Sequence, residues 1–283
     1  VRLRLTDAAR VETLEYGEPH RLGGSELSLH PAGHIRGSAQ ILVEQADRTT
    51  VVTGDFKDDA DPTCTPFEPL QCDALITEST FGLPIYRWPE PQTVFEEIDA
   101  WWRSNQQDGK ASVIFAYAMG KAQRLIASLS PEIGPIFTHG AVEKINAVYR
   151  AEGVPLAETE LATNAPRKTD WSQALIVAPP SAMGSPWLKR FGRQSTAMVS
   201  GWMRVRGIRR RRSIDRGFVL SDHADWPGLL RAIAASGAKQ VLATHGYAAV
   251  VSRYLREQGL AADAIETRFL GEDGSSEPSA EEE

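Results

Sequence analysis

The sequence predicts an α/β protein, and three observations carry that reading. Strand-forming runs at Glu26–His30, Gln40–Glu44 and Thr49–Thr53 are separated by short turns, the pattern of a strand meander. Between Ser112 and Ser200, strand-like and helix-like stretches alternate, as in a parallel α/β unit. Nearer the C-terminus, two apolar strands run into histidine, in GFVLSDHADW (217–226) and QVLATHGY (240–247).

The chain has 283 residues, enough for one elaborated domain or two with a large core. A net charge of −6 does not advertise nucleic-acid binding, so any basic surface has to be local. The two cysteines, Cys64 and Cys72, lie in a Pro-rich stretch without C-x-x-C spacing, which predicts a reduced, cytoplasmic protein. The opening VRLRLTDAARVETLEYGEP holds no secretory or membrane-spanning segment. It begins at Val1 and reads like the middle of a domain, so an N-terminal piece is expected upstream.

Each element then offers its own chemistry. His34 follows the first strand, between Gly33 and Gly37, which let the backbone pass close to a bound group. Asp55 follows Gly54 at the end of the third strand. A histidine in a Gly-rich loop is more often structural, and Gly-Asp is a common turn. The case for a metal strengthens because His223 and His245 repeat the same grammar of apolar strand followed by His or Asp. Residues 58–71 are a loop by composition. Ala74–Thr77 is a short strand leading to Glu78, and Pro84, Pro89 and Pro91 mark a domain change.

Thr93–Asn105 is a helix with Val94, Phe95, Ile98, Trp101 and Trp102 on its apolar side. Ser112–Tyr117 is a buried strand, and Ala118-Met119-Gly120-Lys121-Ala122-Gln123 then opens a helix that runs to about Ser128. Gly120-Lys121 at that helix start suggests phosphate contact, although the spacing is not that of a P-loop. A strand at Pro135–Gly140 ends in Thr138-His139-Gly140, a twin of Thr244-His245-Gly246, and spacing alone leaves either histidine as a ligand. Ala141–Ala151 is helical, 154–170 a connector, Leu175–Val177 a strand, Pro186–Phe191 a short helix and Ser195–Ser200 another strand. Arg204–Arg216 holds seven arginines, including Arg209, Arg210, Arg211 and Arg212, and the planar guanidinium fork favours a nucleic-acid backbone over a plain solvated face. Ala248–Gln258 is helical, Ala264–Leu270 the last strand, and 271–283 an acidic disordered tail.

SLHPAGHIRGSAQ, VVTGDF, LITESTFG, FVLSDHADW and LATHGY, in this order, resemble the later motifs of metallo-β-lactamase-fold nucleases with a β-CASP insertion. The resemblance covers roughly Leu3 to Gly271 and is nearest to the bacterial ligase-associated DNA exonucleases. It departs from the family at one place: nothing matches the initial His-x-His-x-Asp-His motif. The implied fold is a metallo-β-lactamase αββα sandwich, truncated at its N-terminus, from 1–84 and 205–270, with the β-CASP insertion at 85–204.

By resemblance, a complete site holds two Zn²⁺ ions, with His34 and His245 each completing one and Asp55 bridging both. The family order favours His245 over His139. Glu78 then positions His223 as general acid, Asp222 and Asp225 support the site, and Lys121 contacts the nucleic-acid backbone. The implied function is exonucleolytic cleavage of single-stranded or end-containing nucleic acid, DNA favoured, beside a DNA ligase and helicase and away from membranes. The chain itself is expected to be an inactive fragment. Alternatives are an RNA-processing nuclease, a small-molecule thiolester or lactam hydrolase on the same fold, and a non-catalytic nucleic-acid-binding remnant.

Overall fold

The structure is a computed structural model and describes residues 12–207 and 214–265. The chain begins with β1 (His20–Leu22), β2 (Ser25–Pro31), β3 (Ala39–Gln45), β4 (Arg48–Val52) and β5 (Ala74–Glu78). It continues through α1 (Pro91–Gln107), β6 (Ala111–Phe115), α2 (Lys121–Ser128), β7 (Ile136–Thr138), α3 (Gly140–Ala151), β8 (Glu160–Leu161), β9 (Leu175–Ala178), β10 (Gln194–Val199) and β11 (Arg216–Phe218). It returns as α4 (Trp226–Ser236), β12 (Gln240–Thr244), α5 (Ala248–Glu257) and β13 (Ala261–Ile265).

The strands form two sheets. One has the order β1-β2-β3-β4-β5-β12-β13, the other β11-β10-β6-β9-β7-β8. The first four strands of the larger sheet are antiparallel, and β4 through β13 pair in parallel. In the smaller sheet every pairing is parallel, with α2 and α3 on the β6–β7 and β7–β8 connections and α1 leading in from β5 of the larger sheet. That is the expected mixed α/β architecture. Continuous apolar runs suit strands buried on both faces: all five residues of β6 and all four of β9 are buried.

In the larger sheet, strand alternation sends Val51, Leu75, Val241 and Ala243 toward Leu229, Ile233, Val251 and Leu255 of α4 and α5. Each such side chain contributes about 1.5–3 kcal/mol on burial. The opposite face carries Leu29, Ile41, Val52, Ile76 and Leu242 in one row across five strands. Ile41 is 39% exposed and the other four are half-buried, so among the described residues this apolar face is uncovered.

Several expectations need correction. Strand β11 joins the edge of the smaller sheet beside β10, so the chain crosses back after Phe218, later than a boundary at 204/205. Helix α4 falls where no helix was read, although its signals are present. The Asp225 carboxylate accepts from the Gly228 N–H at 2.8 Å, Pro227 sits in the first turn, and Gly237 ends it at φ +60. Strand β13 starts at Ala261, three residues before the predicted Ala264. The stretch Pro186–Phe191 is the expected short helix, in 3₁₀ form. Arg209–Arg212 and the acidic tail lie outside the described residues.

Candidate metal centre

Five of the predicted residues converge at the C-terminal ends of the central strands. His34 lies in the loop after β2, Asp55 after β4, Glu78 at the end of β5, His223 after β11, and His245 after β12. The His34 loop crosses the Asp55–Lys57 segment so closely that a Cβ on Gly33 would lie 2.2 Å from the Lys57 carbonyl oxygen, at φ +70. Only glycine fits there. His245 itself sits in the left-handed region at φ 33, an unfavourable conformation for a side-chain-bearing residue. The Ser79 hydroxyl holds that turn, donating to the carbonyls of Thr244, at 3.0 Å, and His245.

The donors face one another. His34 Nδ1–H donates to the Asp222 carbonyl at 2.7 Å, leaving Nε2 as the acceptor atom, 3.9 Å from Asp55 Oδ2. His245 Nε2 lies 3.3 Å from the other Asp55 oxygen, and its Nδ1 lies 2.9 Å from the Thr244 hydroxyl. Two sets of donor atoms each cluster within 4.8 Å: His34, Asp55 and His223, and Asp55, Glu78 and His245. Imidazole nitrogen with carboxylate oxygen suits a first-row divalent ion. Asp55 belongs to both sets, the position a bridging carboxylate needs, and the fixed tautomer of His34 is the arrangement a metal ligand requires.

His223 is engaged differently. Its Nδ1 is 2.9 Å from both oxygens of Glu78, which is 3% exposed and also accepts from the Phe56 N–H at 2.8 Å. Burial alone lowers the imidazole pKa, but the Glu78 charge and hydrogen bond raise it to about 9. Burial raises the Asp55 carboxyl, yet the hydrogen bond to His245 and the charges of His223 and His34 bring it to about 2. Phe81 packs edge-on to the His223 ring, 5.9 Å between centroids, and the Trp88 indole N–H donates to the His223 carbonyl at 2.9 Å.

The twin histidine goes elsewhere. His139 caps α3, its Nδ1 accepting from the Ala141 N–H at 3.1 Å, with its ring 4.9 Å from Trp187. Lys121 is 3% exposed and turns inward, 3.3 Å from Asp222 and 4.7 Å above the Tyr117 ring. It is thus not presented to a nucleic-acid backbone, and the Gly120 N–H beside it is spent on Gln123 at 2.8 Å. Asp225 caps α4 and accepts from the Trp88 N–H at 2.9 Å. Sequence reasoning missed the backbone role of Asp222 and the buried Lys57–Asp61–Arg124 cluster beneath the site. Paired charges at Lys57 and Asp61, four apart, were the available signal.

The two sheets and a carboxylate shared between two histidine-bearing donor sets make a candidate metal centre on an α/β scaffold. No family model matches the chain. It is 36% identical over 275 residues to a "Probable DNA ligase" of Opitutus terrae, an alignment covering 94% of this chain and 26% of that protein. It is 28% identical over 149 residues to an "RNase J-like protein" of Methanocaldococcus jannaschii, covering 49% of this chain and 35% of that one. Over 152 residues it is 28% identical to "Cleavage and polyadenylation specificity factor 73" of Drosophila melanogaster, covering 50% and 22%. The chain therefore spans about a quarter to a third of these curated relatives' length. A solved protein of unknown function from Enterococcus faecalis shares the fold, with a TM-score of 0.56 at 11% identity over 90% of this chain and 65% of that one. These similarities, with the two-sheet α/β architecture, fit the metallo-β-lactamase-fold nucleases that carry a β-CASP insertion.

Proposed function

We propose that the chain is the nucleolytic part of a metal-dependent phosphodiesterase acting on nucleic acid ends or single strands, with DNA favoured. The observation that carries this reading is the convergence of His34, Asp55, Glu78, His223 and His245 from five separate strand ends, with His223 clamped by a buried carboxylate. His34, Asp55 and His245 would hold zinc ions. Divalent ions bound there would supply an activated water and neutralise charge on the phosphate. Each donor set described offers three atoms, so full coordination of two ions draws on further donors.

The remaining chemistry belongs to the chain. With Nδ1 committed to Glu78, His223 has only Nε2 to offer the substrate. The Glu78 charge and hydrogen bond raise its pKa, which favours the protonated form that a donor to the leaving oxygen needs. Glu78 is a positioning residue that holds the ring orientation and balances the imidazolium. Arg209–Arg212 gather the backbone, a role argued from sequence alone.

DNA is favoured because the relative aligned along nearly the whole chain carries the name of a DNA ligase, which supports work beside a ligase; a helicase partner rests on the sequence resemblance. An RNA substrate is the second reading, favoured by the ribonuclease names of the half-length relatives. Among the described residues no helix is long and apolar enough to cross a membrane. A cytoplasmic location is part of the proposal.

The test is hydrolysis of end-labelled DNA and RNA strands by the protein extended in frame at its N-terminus, with and without chelator. Chelator-sensitive cleavage of DNA that Asp55→Ala abolishes is the expected result. Binding without metal uptake or cleavage would make the chain a non-catalytic binding module.

A further inference from the structure

The insertion touches the candidate metal centre through a buried ion pair. Lys121, the first residue of α2, and Asp222, the residue before His223, are 3% and 4% exposed, with Nζ 3.3 Å from Oδ2. The backbone carbonyl of the same Asp222 accepts from His34 Nδ1–H at 2.7 Å. One residue therefore links a cation of the insertion to the ring of a candidate metal ligand on the other sheet.

Neighbouring contacts fix the same loop. A Cβ on Gly120, at φ +85, would lie 2.2 Å from Ile35 Cγ2, so the α2 start presses directly on the residue after His34. Arg36 grips the C-terminal end of α3 through the Glu152 carboxylate and, at 3.0 Å, its carbonyl. Beneath, Arg124 of α2 donates to the Ser221 carbonyl at 2.9 Å and to the Ala60 carbonyl at 3.3 Å. Thus α2 holds Ser221 by its backbone carbonyl and Asp222 by its side-chain carboxylate. The second oxygen of Asp222, Oδ1, is buried without a hydrogen-bond partner, so Lys121 is the nearest compensation its carboxylate has, with Lys57 and Arg124 acting from further away.

We propose that Asp222, clamped by Lys121, is a positioning residue for His34, so that the geometry of this ligand depends on the seating of the insertion against the larger sheet. The inference rests on the reading of His34 as a metal ligand. Without the ion pair the Asp222 peptide loses its anchor. Its carbonyl then no longer selects the Nδ1–H tautomer that leaves Nε2 for metal. Partners that orient a ligating histidine in this way typically change metal affinity by about 10–100-fold. Any substrate contact that presses the insertion home tightens the same ligand. The Gly-Lys at the start of α2 thus serves the metal site from within.

Two variants test this in the 283-residue chain. Lys121→Met removes the nearest cation from Asp222, and the double variant Lys121→Met/Asp222→Asn removes both charges, so that one of them remains foldable. The His34 ring, assigned with His34→Gln, is followed by long-range ¹H–¹⁵N spectra of metal-free protein at about pH 8, above the usual histidine range. Zinc affinity is then titrated against a chromophoric chelator. Trp102→Phe, a change deep in the insertion core, serves as a control matched for loss of thermal stability.

The expected result is one Nδ1–H tautomer for His34 in the parent, a tautomer mixture in the folded variants, and zinc binding weakened by about tenfold or more. The control should leave the His34 signals in place. An unchanged His34 spectrum in folded variants, or an equal shift in Trp102→Phe, overturns the positioning role. A shifted spectrum with unchanged zinc affinity overturns instead the reading of His34 as a ligand.

Discussion

Replacing His223 with alanine separates a general acid from a metal ligand, which the geometry brings close together. The His223 ring lies 4.7 Å from the His34 ring, and its nitrogen falls in the same donor set as His34 and Asp55. If His223 donates the proton to the leaving oxygen, His223→Ala in a nuclease-active, N-terminally extended form should lower turnover by ~10²–10⁴-fold. That corresponds to about 2.7–5.5 kcal/mol of barrier. The stability change is smaller. Glu78 loses its imidazole partner but keeps the Phe56 N–H at 2.8 Å, with the Thr80 N–H more distant at 3.4 Å. A buried carboxylate left partly satisfied costs about 1–3 kcal/mol. At about 2–4 °C per kcal/mol, a 2 kcal/mol loss lowers Tm by about 4–8 °C. Zinc content, read by atomic absorption after desalting, should remain that of the parent. Glu78→Gln keeps the side-chain volume and should give a smaller loss of turnover, again with zinc retained. Loss of zinc from His223→Ala would refute the general-acid assignment and make His223 a ligand.

Other predictions concern different parts of the molecule. Burial raises the Glu143 carboxyl, but hydrogen bonds from Thr138, Thr159, Asn146 and Arg150 outweigh it and hold its pKa below the usual 4.5. Its stabilisation is therefore complete above pH 4.5 and is lost as pH falls below that value, so Glu143→Gln should flatten the acid limb of a Tm-versus-pH curve. Replacing Arg209–Arg212 with serine should reduce the salt slope of single-strand binding by up to about 3, at about 0.7 per phosphate contact. An unchanged slope would place the run on a solvated face. Ile41→Lys on the uncovered sheet face should reduce concentration-dependent self-association in light scattering while leaving Tm within about 2 °C. Equal association in parent and variant would show that this face is not the sticky one.

Much of the site was legible because its chemistry is local. Apolar β-branched runs define strands, and His34, Asp55, Glu78, His223 and His245 each stand at the end of a strand or within five residues after it, beside residues that turn the chain. Those positions follow from strand periodicity and turn chemistry, which act over a few residues. The same rules could not choose between Thr138-His139-Gly140 and Thr244-His245-Gly246. Tertiary structure separates them: one histidine meets Trp187 and the other meets Asp55. Nor could they show that Gly120-Lys121 faces inward. Its partner, Asp222, is 101 positions away, and the pair meets only because α2 packs where the chain returns from the smaller sheet. Glu78 and His223, 145 residues apart, meet for the same kind of reason. Sequence determined which residues stand at strand ends. Folding decided which of those ends meet, since β5 and β12 pair across a long insertion whose length says nothing about their distance in space.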